Sequence, residues 1–183
     1  CKKPFPSMPL KFWNDKNNKK FEKAYFQRFK NIWHHGDYAE VKKSGGYIIY
    51  GRSDATLNPG GVRLGTAEIY SEVEKFKQIK ESIAVGQSWD NDIRIILFII
   101  LNKGYYLNSD LETKIKKQIR INASPRHVPA KIISVTDIPR TKNGKIVELA
   151  VKNIIDGNAI KNKEALENPE VLKEYTDIKE LND

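Results

Sequence analysis

The feature that most constrains the fold is a run of apolar residues at positions 93–101, interrupted only by Arg94. The run has about half of the ~20 residues that a helix needs to cross a bilayer. A strand with one solvated face alternates apolar and polar residues, whereas this run is apolar at successive positions. We therefore predict a strand that is buried on both faces and lies in the centre of a sheet.

Helical and extended segments alternate around this central strand. The helices are predicted from apolar residues that recur every three or four positions, and the strands from short stretches rich in β-branched and aromatic residues. Helices are predicted at 19–29, from Thr66 as a cap, from a Ser109/Glu112 capping box, at 147–155 and after Asn168-Pro169; further strands are predicted at 32–34, 38–41, 47–50, 82–86 and 131–135. This order predicts an α+β fold with a small mixed or antiparallel sheet covered by helices.

A domain boundary is predicted at Ser53-Asp54. The stretch 51–61 is dense in Gly, Asn, Asp, Ser and Pro, and it separates a β-rich segment from the helix–strand alternation. We expect residues 1–53 to belong to one domain and residues 54–183 to another.

The composition leaves more than one class of partner open. With 32 Lys and Arg against 23 Asp and Glu, the net charge is +9, which is compatible with polyanions such as nucleic acid or phosphorylated small molecules. The lysines are interleaved with acids, however, and no basic stripe carries aromatic stacking groups, so a solvated surface is favoured over a nucleic-acid or protein-interaction module. A single cysteine excludes an internal disulfide framework and suggests a cytoplasmic protein.

Three short segments are candidates for chemistry. His35-Gly36-Asp37 puts a carboxylate after a glycine at the start of a strand, where it could accept hydrogen bonds from a diol. An aspartate in an ordinary turn is the alternative interpretation.

The second segment extends from Gly51-Arg52-Ser53-Asp54 through Gly60-Gly61-Val62-Arg63. Glycines before a helix start permit close approach of a ligand, and arginines could bind a phosphate or ribose. The glycine spacing does not match a dinucleotide fingerprint, and a glycine-containing hairpin is the alternative.

The third segment, residues 139–146, places Lys145 on an exposed turn before a helix and lacks the first glycine and the final Ser/Thr of a Walker P-loop. A single ammonium can neutralise charge between a carboxylate nucleophile and a phosphate, although a plain surface lysine is the alternative. His34 and His35 have no Cys or acidic partners at ligand spacing, so no metal site is predicted.

In order and spacing, the three segments together resemble the adenylate-forming superfamily of acyl-CoA synthetases. A finer resemblance, to the acetoacetate–CoA ligase family, extends over nearly the whole chain. It is carried by Pro6-Ser7-Met8-Pro9-Leu10, Trp33-His34-His35-Gly36-Asp37, Arg126-His127-Val128-Pro129 and the segments 51–68 and 168–181.

The resemblance implies a role for each matched residue. Lys145 would be the catalytic lysine of adenylation, Asp37 and Arg52 would bind the ribose of ATP, and Arg63 would lie near the adenylate phosphate. Asp54 would be the hinge between domains. Gly61 would border the CoA pantetheine tunnel, and Lys116, in a looser alignment, would face a CoA phosphate.

The resemblance also implies substrates and a missing partner. Acetoacetate, ATP and CoA would be the substrates, with Mg²⁺ accompanying ATP on ligands outside this chain, and acetate would be the main alternative acyl group. The phosphate-binding loop and the acyl pocket of the family belong to a large N-terminal domain, of which residues 1–53 would be the β-rich end. We therefore expect this chain alone to be inactive.

Overall fold

The computed structural model describes residues 1–160 and 163–182. Its strands are β1 (Asp37–Val41), β2 (Tyr47–Arg52), β3 (Ile79–Trp89), β4 (Asp92–Leu101) and β5 (Lys131–Ser134), and its α-helices are α1 (Lys19–Tyr25), α2 (Thr66–Val73), α3 (Ser109–Asn122) and α4 (Glu148–Ile155). Short 3₁₀ turns occur at Lys16–Asn18, Pro59–Gly61, Pro125–His127, Lys163–Ala165, Pro169–Tyr175 and Lys179–Leu181.

The apolar run forms β4, the central strand of a three-stranded sheet with the order β3-β4-β5. Strand β3 pairs with β4 in antiparallel register, with Ile83 opposite Phe98, and β5 pairs with β4 in parallel, with Ile133 opposite Phe98. The prediction of a central strand and of a small mixed sheet covered by helices is confirmed. β1 and β2 form a separate two-stranded sheet.

The two faces of β4 build two cores. Ile95, Leu97 and Ile99 point to one side and are at most 2% exposed. That side packs on α2 and α3 through a cluster that includes Ile69, Val73, Leu111, Ile115 and Ile119. The alternate residues of β4 pack in a second cluster that includes Ile96, Phe98, Ile100, Val151 and Tyr175. Burial on both faces explains why the run has no polar alternation.

Helix α4 lies along the free edge of β3 and is fastened there by side chains. Lys152 Nζ donates to the Gly86 carbonyl at 2.9 Å, and the carboxylate of Asp156, at the C-terminal end of α4, accepts from the Ser88 N–H at 2.9 Å. Four residues of helix rise about 6 Å and two residues of strand advance about 6.6 Å, so these two spacings match. These contacts hold α4 against the edge of β3.

The chain divides into two compact units, residues 1–37 and residues 38–183. The smaller unit is organised around Trp33, whose ring stacks on Tyr25 with 3.6 Å between centroids. Phe5, Phe21 and Phe26 also contact Trp33. The predicted strand at 32–34 is wrong, because Trp33 lies in this aromatic cluster rather than in a sheet.

Several predicted helix boundaries also differ from the structure. Helix α1 ends at Tyr25 rather than near 29. Asn108, not Ser109, caps α3, and its side chain accepts from the Leu111 N–H at 2.8 Å. Gly65, not Thr66, is the N-cap of α2. Neighbouring residues that can both serve as caps account for the one-residue shifts at α2 and α3.

Membrane-spanning helices are not found in the described ranges 1–160 and 163–182: none of the helices there is both long and apolar enough.

Candidate active site

Lys145 lies on a tight turn that joins residues 139–141 to residues 145–147. The Thr141 N–H donates to the Lys145 carbonyl at 2.8 Å, and the Gly144 N–H donates to the Thr141 carbonyl at 2.7 Å. Gly144 has φ +76°, in the left-handed region that favours glycine. Lys145 is exposed, and no hydrogen bond or ion pair of its ammonium occurs within residues 1–160 and 163–182. The turn therefore presents an unneutralised positive charge.

A second stretch of chain braces the first limb of this turn. Thr141 forms an isolated antiparallel bridge with Leu166, and the Glu167 N–H donates to the Arg140 carbonyl at 2.8 Å. The Lys142 N–H reaches the Ala165 carbonyl at 3.3 Å. The turn consequently has a defined backbone although its tip is in solvent.

Arg52 and Asp54, predicted for ribose binding and for the hinge, contact each other. Arg52 Nε lies 3.3 Å from Asp54 Oδ1, and Nη2 lies 3.4 Å from Oδ2. Both side chains are about half exposed, at 52% and 49%. An ion pair at this exposure holds the loop only weakly.

A cavity of about 220 Å³ opens beside this loop. Asp54 and Arg63 both line it, and the Arg63 guanidinium carbon lies 5.5 Å from the centre of the Tyr38 ring. The remaining lining residues are Ser53, Ala55, Thr56, Asn58, Ala84, Val85, Gly86, Ile93, Glu148, Leu149 and Lys152. The cavity thus combines an apolar floor with charges of both signs.

The glycine-rich loop leaves an open surface at Gly61. Gly61 has φ +74°, and no atom lies within 4 Å of the position that a Cβ would take. The preceding residue holds the loop in place, because the Gly60 N–H donates to the Asp92 carboxylate at 2.9 and 3.0 Å. A ligand could therefore approach the backbone at Gly61.

Lys116 is engaged on the surface of α3. Its ammonium lies 2.6 Å from Glu112 Oε1 and donates to the Ala130 carbonyl at 3.3 Å. The predicted contact with a CoA phosphate would require Lys116 to leave or share these partners.

In the unit of residues 1–37, Asp37 is the last residue and its carboxylate is close to His35. Asp37 Oδ2 lies 2.5 Å from His35 Nδ1. The side chain of Asp37 is 30% exposed and that of His35 is 69% exposed. The predicted ribose ligand is therefore accessible to solvent.

The structure gathers some of the predicted residues of the larger unit and leaves others apart. Arg52, Asp54 and Arg63 cluster at or beside the cavity, whereas Lys145, Lys116 and Gly61 do not line it.

Sequence reasoning missed one half-buried pair next to this site. The Tyr70 hydroxyl is 2.5 Å from Glu148 Oε1 and 3.1 Å from the Ala84 nitrogen. The pKa of Glu148 is raised from its ordinary value of 4.5, first by burial, while hydrogen bonds from Tyr70 and Thr66 oppose that effect. A signal was available: Glu148 begins a helix whose other inward positions are apolar, so a carboxylate there requires a partner.

Clusters of three or more His, Cys, Asp or Glu side chains able to hold a metal ion are absent from the part of the chain that the structure describes. The described residues therefore do not fit a Mg²⁺ site.

Comparison of the sequence with known proteins identifies relatives that match nearly the whole chain. No protein-family model matches the chain. The chain is 56% identical to an acetoacetyl-coenzyme A synthetase of Rhizobium meliloti over 99% of its length, and 46% identical to an acetoacetyl-CoA synthetase of Mus musculus over its whole length. It covers only 28% of each of these two relatives.

The solved structures that resemble this chain include enzymes of the same kind as these relatives. The acetoacetyl-CoA synthetase from Streptomyces lividans superposes with a TM-score of 0.88 and 37% identity over 98% of this chain and 27% of that one. The anthranilate CoA ligase AuaEII superposes with a TM-score of 0.65 and 28% identity over 75% of this chain and 26% of that one.

The α+β fold and these matches define the class of protein as the adenylate-forming superfamily of acyl-CoA ligases. Within that superfamily, the chain is a homologue of the C-terminal portion of the acetoacetyl-CoA synthetases.

Proposed function

We propose that the chain is the C-terminal part of an acetoacetate–CoA ligase. In the first half-reaction, the carboxylate of acetoacetate attacks the α-phosphorus of ATP, which forms acetoacetyl-adenylate and releases pyrophosphate. In the second, the thiol of CoA attacks the acyl carbon, loses its proton and releases AMP, which leaves acetoacetyl-CoA. The relatives that match nearly the whole chain are acetoacetyl-CoA synthetases, which supports acetoacetate over acetate as the acyl group.

The observation that carries this proposal is the exposed ammonium of Lys145 on a braced turn, which pairs with no group in the part of the chain that the structure describes. In the first half-reaction two anions must approach each other, a carboxylate and a phosphate. A preorganised positive charge stabilises the transition state because it is already in position when the negative charge builds up. An ammonium already paired with a carboxylate could not do this without breaking that pair. Lys145 is accordingly the proposed catalytic residue of adenylation.

Three further residues are proposed as nucleotide ligands. The carboxylate of Asp37 is partly exposed, and it would accept hydrogen bonds from the ribose hydroxyls by sharing or exchanging its contact with His35. Arg52 would donate to the ribose and Arg63 to the phosphate of the adenylate. Arg63 fits an anion because its planar guanidinium can donate two parallel hydrogen bonds.

The second half-reaction requires a different arrangement of the same residues. We assign residues 1–53 to the end of the N-terminal domain and 54–183 to a mobile C-terminal domain that rotates about Asp54. Rotation would withdraw Lys145 and present the open surface at Gly61 to the pantetheine chain of CoA. Lys116 would exchange Glu112 for a CoA phosphate, an exchange that is feasible because their ion pair is partly exposed.

Mg²⁺ would accompany ATP and be bound by groups outside the described residues. The enzyme would act in the cytoplasm.

The proposal is tested with the whole protein that contains this chain. Acetoacetate should support ATP–pyrophosphate exchange and, with CoA, release AMP, whereas acetate at the same concentration should support far less. Equal or faster exchange with acetate would contradict the proposed acyl group, and no exchange with either acid would contradict the proposed reaction.

A further inference from the structure

Arg140 joins the Lys145 turn to the central sheet. Its Nη1 donates to the carbonyl of Gly144, the residue directly before Lys145, at 3.0 Å. Its Nη2 contacts Glu81 Oε1 at 2.5 Å. Glu81 belongs to β3, which is anchored in the sheet by its pairing with β4. One guanidinium therefore bridges the tip of the turn and strand β3.

Backbone hydrogen bonds join the two limbs of the turn to each other, from the Thr141 N–H to the Lys145 carbonyl at 2.8 Å and from the Val147 N–H to the Pro139 carbonyl at 3.1 Å. The contacts with residues 165–167 hold Arg140, Thr141 and Lys142, which belong to the first limb and the tip. Residues 142–146 are exposed, and no atom lies within 4 Å of the Cβ position of Gly144. The side chain of Arg140 therefore supplies the contact that joins the carbonyl before Lys145 to the sheet.

Fold stability does not explain this contact. The side chain of Arg140 is 26% exposed and that of Glu81 is 36% exposed. Ion pairs that water reaches contribute little to the free energy of unfolding. Such an ion pair can still matter for the position of a neighbouring catalytic group. A displacement of that group by about 1 Å can lower the rate on the order of a hundredfold.

We propose that Arg140 is a positioning residue for adenylation, that Glu81 orients it, and that together they hold Lys145 where its charge is needed. This inference rests on the catalytic role proposed for Lys145. Arginine suits the task because its planar fork donates in two directions at once, to a carbonyl and to a carboxylate. A lysine ammonium is a point charge on a flexible stem and cannot hold both acceptors in the same geometry.

The test compares three variants in the whole protein: Arg140→Gln, Arg140→Lys and Glu81→Gln. For Arg140→Gln, kcat of ATP–pyrophosphate exchange should fall about tenfold or more, with KM for ATP nearly unchanged, because placement rather than binding is lost. Thioester formation from supplied acetoacetyl-adenylate should stay near that of the wild type. Arg140→Lys should restore only part of the loss.

The double variant tests whether the two residues act as one unit. If Glu81 acts through Arg140, Arg140→Gln combined with Glu81→Gln should be little slower than Arg140→Gln alone. Arg120→Gln is the matched control: it removes the same charge from an exposed position on α3 and should leave both half-reactions unchanged. Multiplicative losses in the double variant would overturn the role of Glu81.

Hydrogen exchange of the 183-residue chain supplies a readout that does not depend on activity. Amides of residues 141–147 should exchange faster in Arg140→Gln than in the wild type and in Arg120→Gln. Unchanged exchange, or an equal fall of both half-reactions together with a lower melting temperature, would overturn the inference. If instead Lys145→Ala leaves adenylation intact, the proposed function fails, and the exchange result alone decides whether Arg140 holds the turn.

Discussion

The hydroxyl of Tyr70 on α2 lies 2.5 Å from the carboxylate of Glu148, the first residue of α4. Burial raises the pKa of Tyr70 well above its ordinary value, so the phenol stays protonated and donates to Glu148. The same oxygen accepts from the Ala84 N–H of β3 at 3.1 Å. A single hydroxyl thus ties α2 and α4 to the edge of β3.

Removal of this hydroxyl should destabilise the fold. Tyr70→Phe keeps the ring, which packs against the larger core cluster, but it leaves the Ala84 N–H and the Glu148 carboxylate without their common partner. A buried polar group left unsatisfied costs about 1–3 kcal/mol. Urea denaturation of the chain should show a loss of this size. Tyr106→Phe, at a tyrosine that is 72% exposed, is the control and should change stability little. Equal midpoints for both variants would show that water replaces the Tyr70 hydroxyl.

The raised pKa of Glu148 predicts a specific dependence of stability on pH. Burial is its largest cause, and Asp54 adds to the rise while Arg52 opposes it. Between the ordinary pKa of 4.5 and the higher pKa of the folded state, the folded chain holds a proton that the unfolded chain has lost. Stability should therefore fall as the pH rises through that window.

Glu148→Gln tests this dependence, because glutamine cannot ionise yet still accepts from Tyr70. The melting temperature of the variant relative to the wild type should increase from pH 4.5 towards neutral pH. Glu74→Gln, at an exposed residue directly after α2, is a control for general charge effects. A difference between Glu148→Gln and wild type that does not change with pH would show that Glu148 is as well solvated in the fold as in the unfolded chain.

Sequence patterns predicted the centre of this fold better than its edges. The run at 93–101 could be assigned to a central strand because burial on both faces removes the polar alternation that a half-exposed strand requires. The stripe of Leu111, Ile115 and Ile119 likewise predicted the buried face of α3, and all three are at most 5% exposed. Such patterns are local, and each reflects the solvent exposure of its own segment.

Contacts between distant segments left no comparable pattern. The Tyr70–Glu148 pair joins residues that are 78 positions apart. The Arg140–Glu81 pair spans 59 positions. Each depends on how distant elements pack against one another, and single residues in the sequence do not record that relationship. The resemblance to acyl-CoA synthetases supplied roles for Lys145 and Asp54, but it gave no reason to select Arg140 or Glu148.

Loss of the Lys145 charge should separate the two half-reactions. In the whole protein, Lys145→Ala should slow adenylation about a hundredfold to a thousandfold, as removal of one preorganised donor does in other enzymes. Thioester formation from supplied acetoacetyl-adenylate should be nearly intact, since that step has no carboxylate attacking a phosphate. Lys142→Ala removes a lysine from the same exposed turn and serves as the control. Equal losses in both half-reactions for Lys145→Ala would argue for a structural role.

A proline at position 54 should block the domain rotation proposed here. Rotation requires a few residues that absorb large changes in φ and ψ, and proline fixes its own φ near −65° and restricts the residue before it. Asp54→Pro in the whole protein should retain adenylation and lose thioester formation. The melting temperature should change little, because the ion pair lost with Arg52 is about half exposed on both sides.

Asp54→Ala separates rotation from the ion pair, since it removes the same carboxylate and leaves the backbone free. That variant should retain both half-reactions. If Asp54→Pro and Asp54→Ala lose thioester formation equally, the carboxylate rather than the rotation is required. If Asp54→Pro loses both half-reactions together with a large drop in melting temperature, Asp54 supports folding and the hinge lies elsewhere. A pivot at Asp54 predicts that only Asp54→Pro loses activity and that it loses only thioester formation. Thioester formation is the step that requires the domain to leave its first orientation.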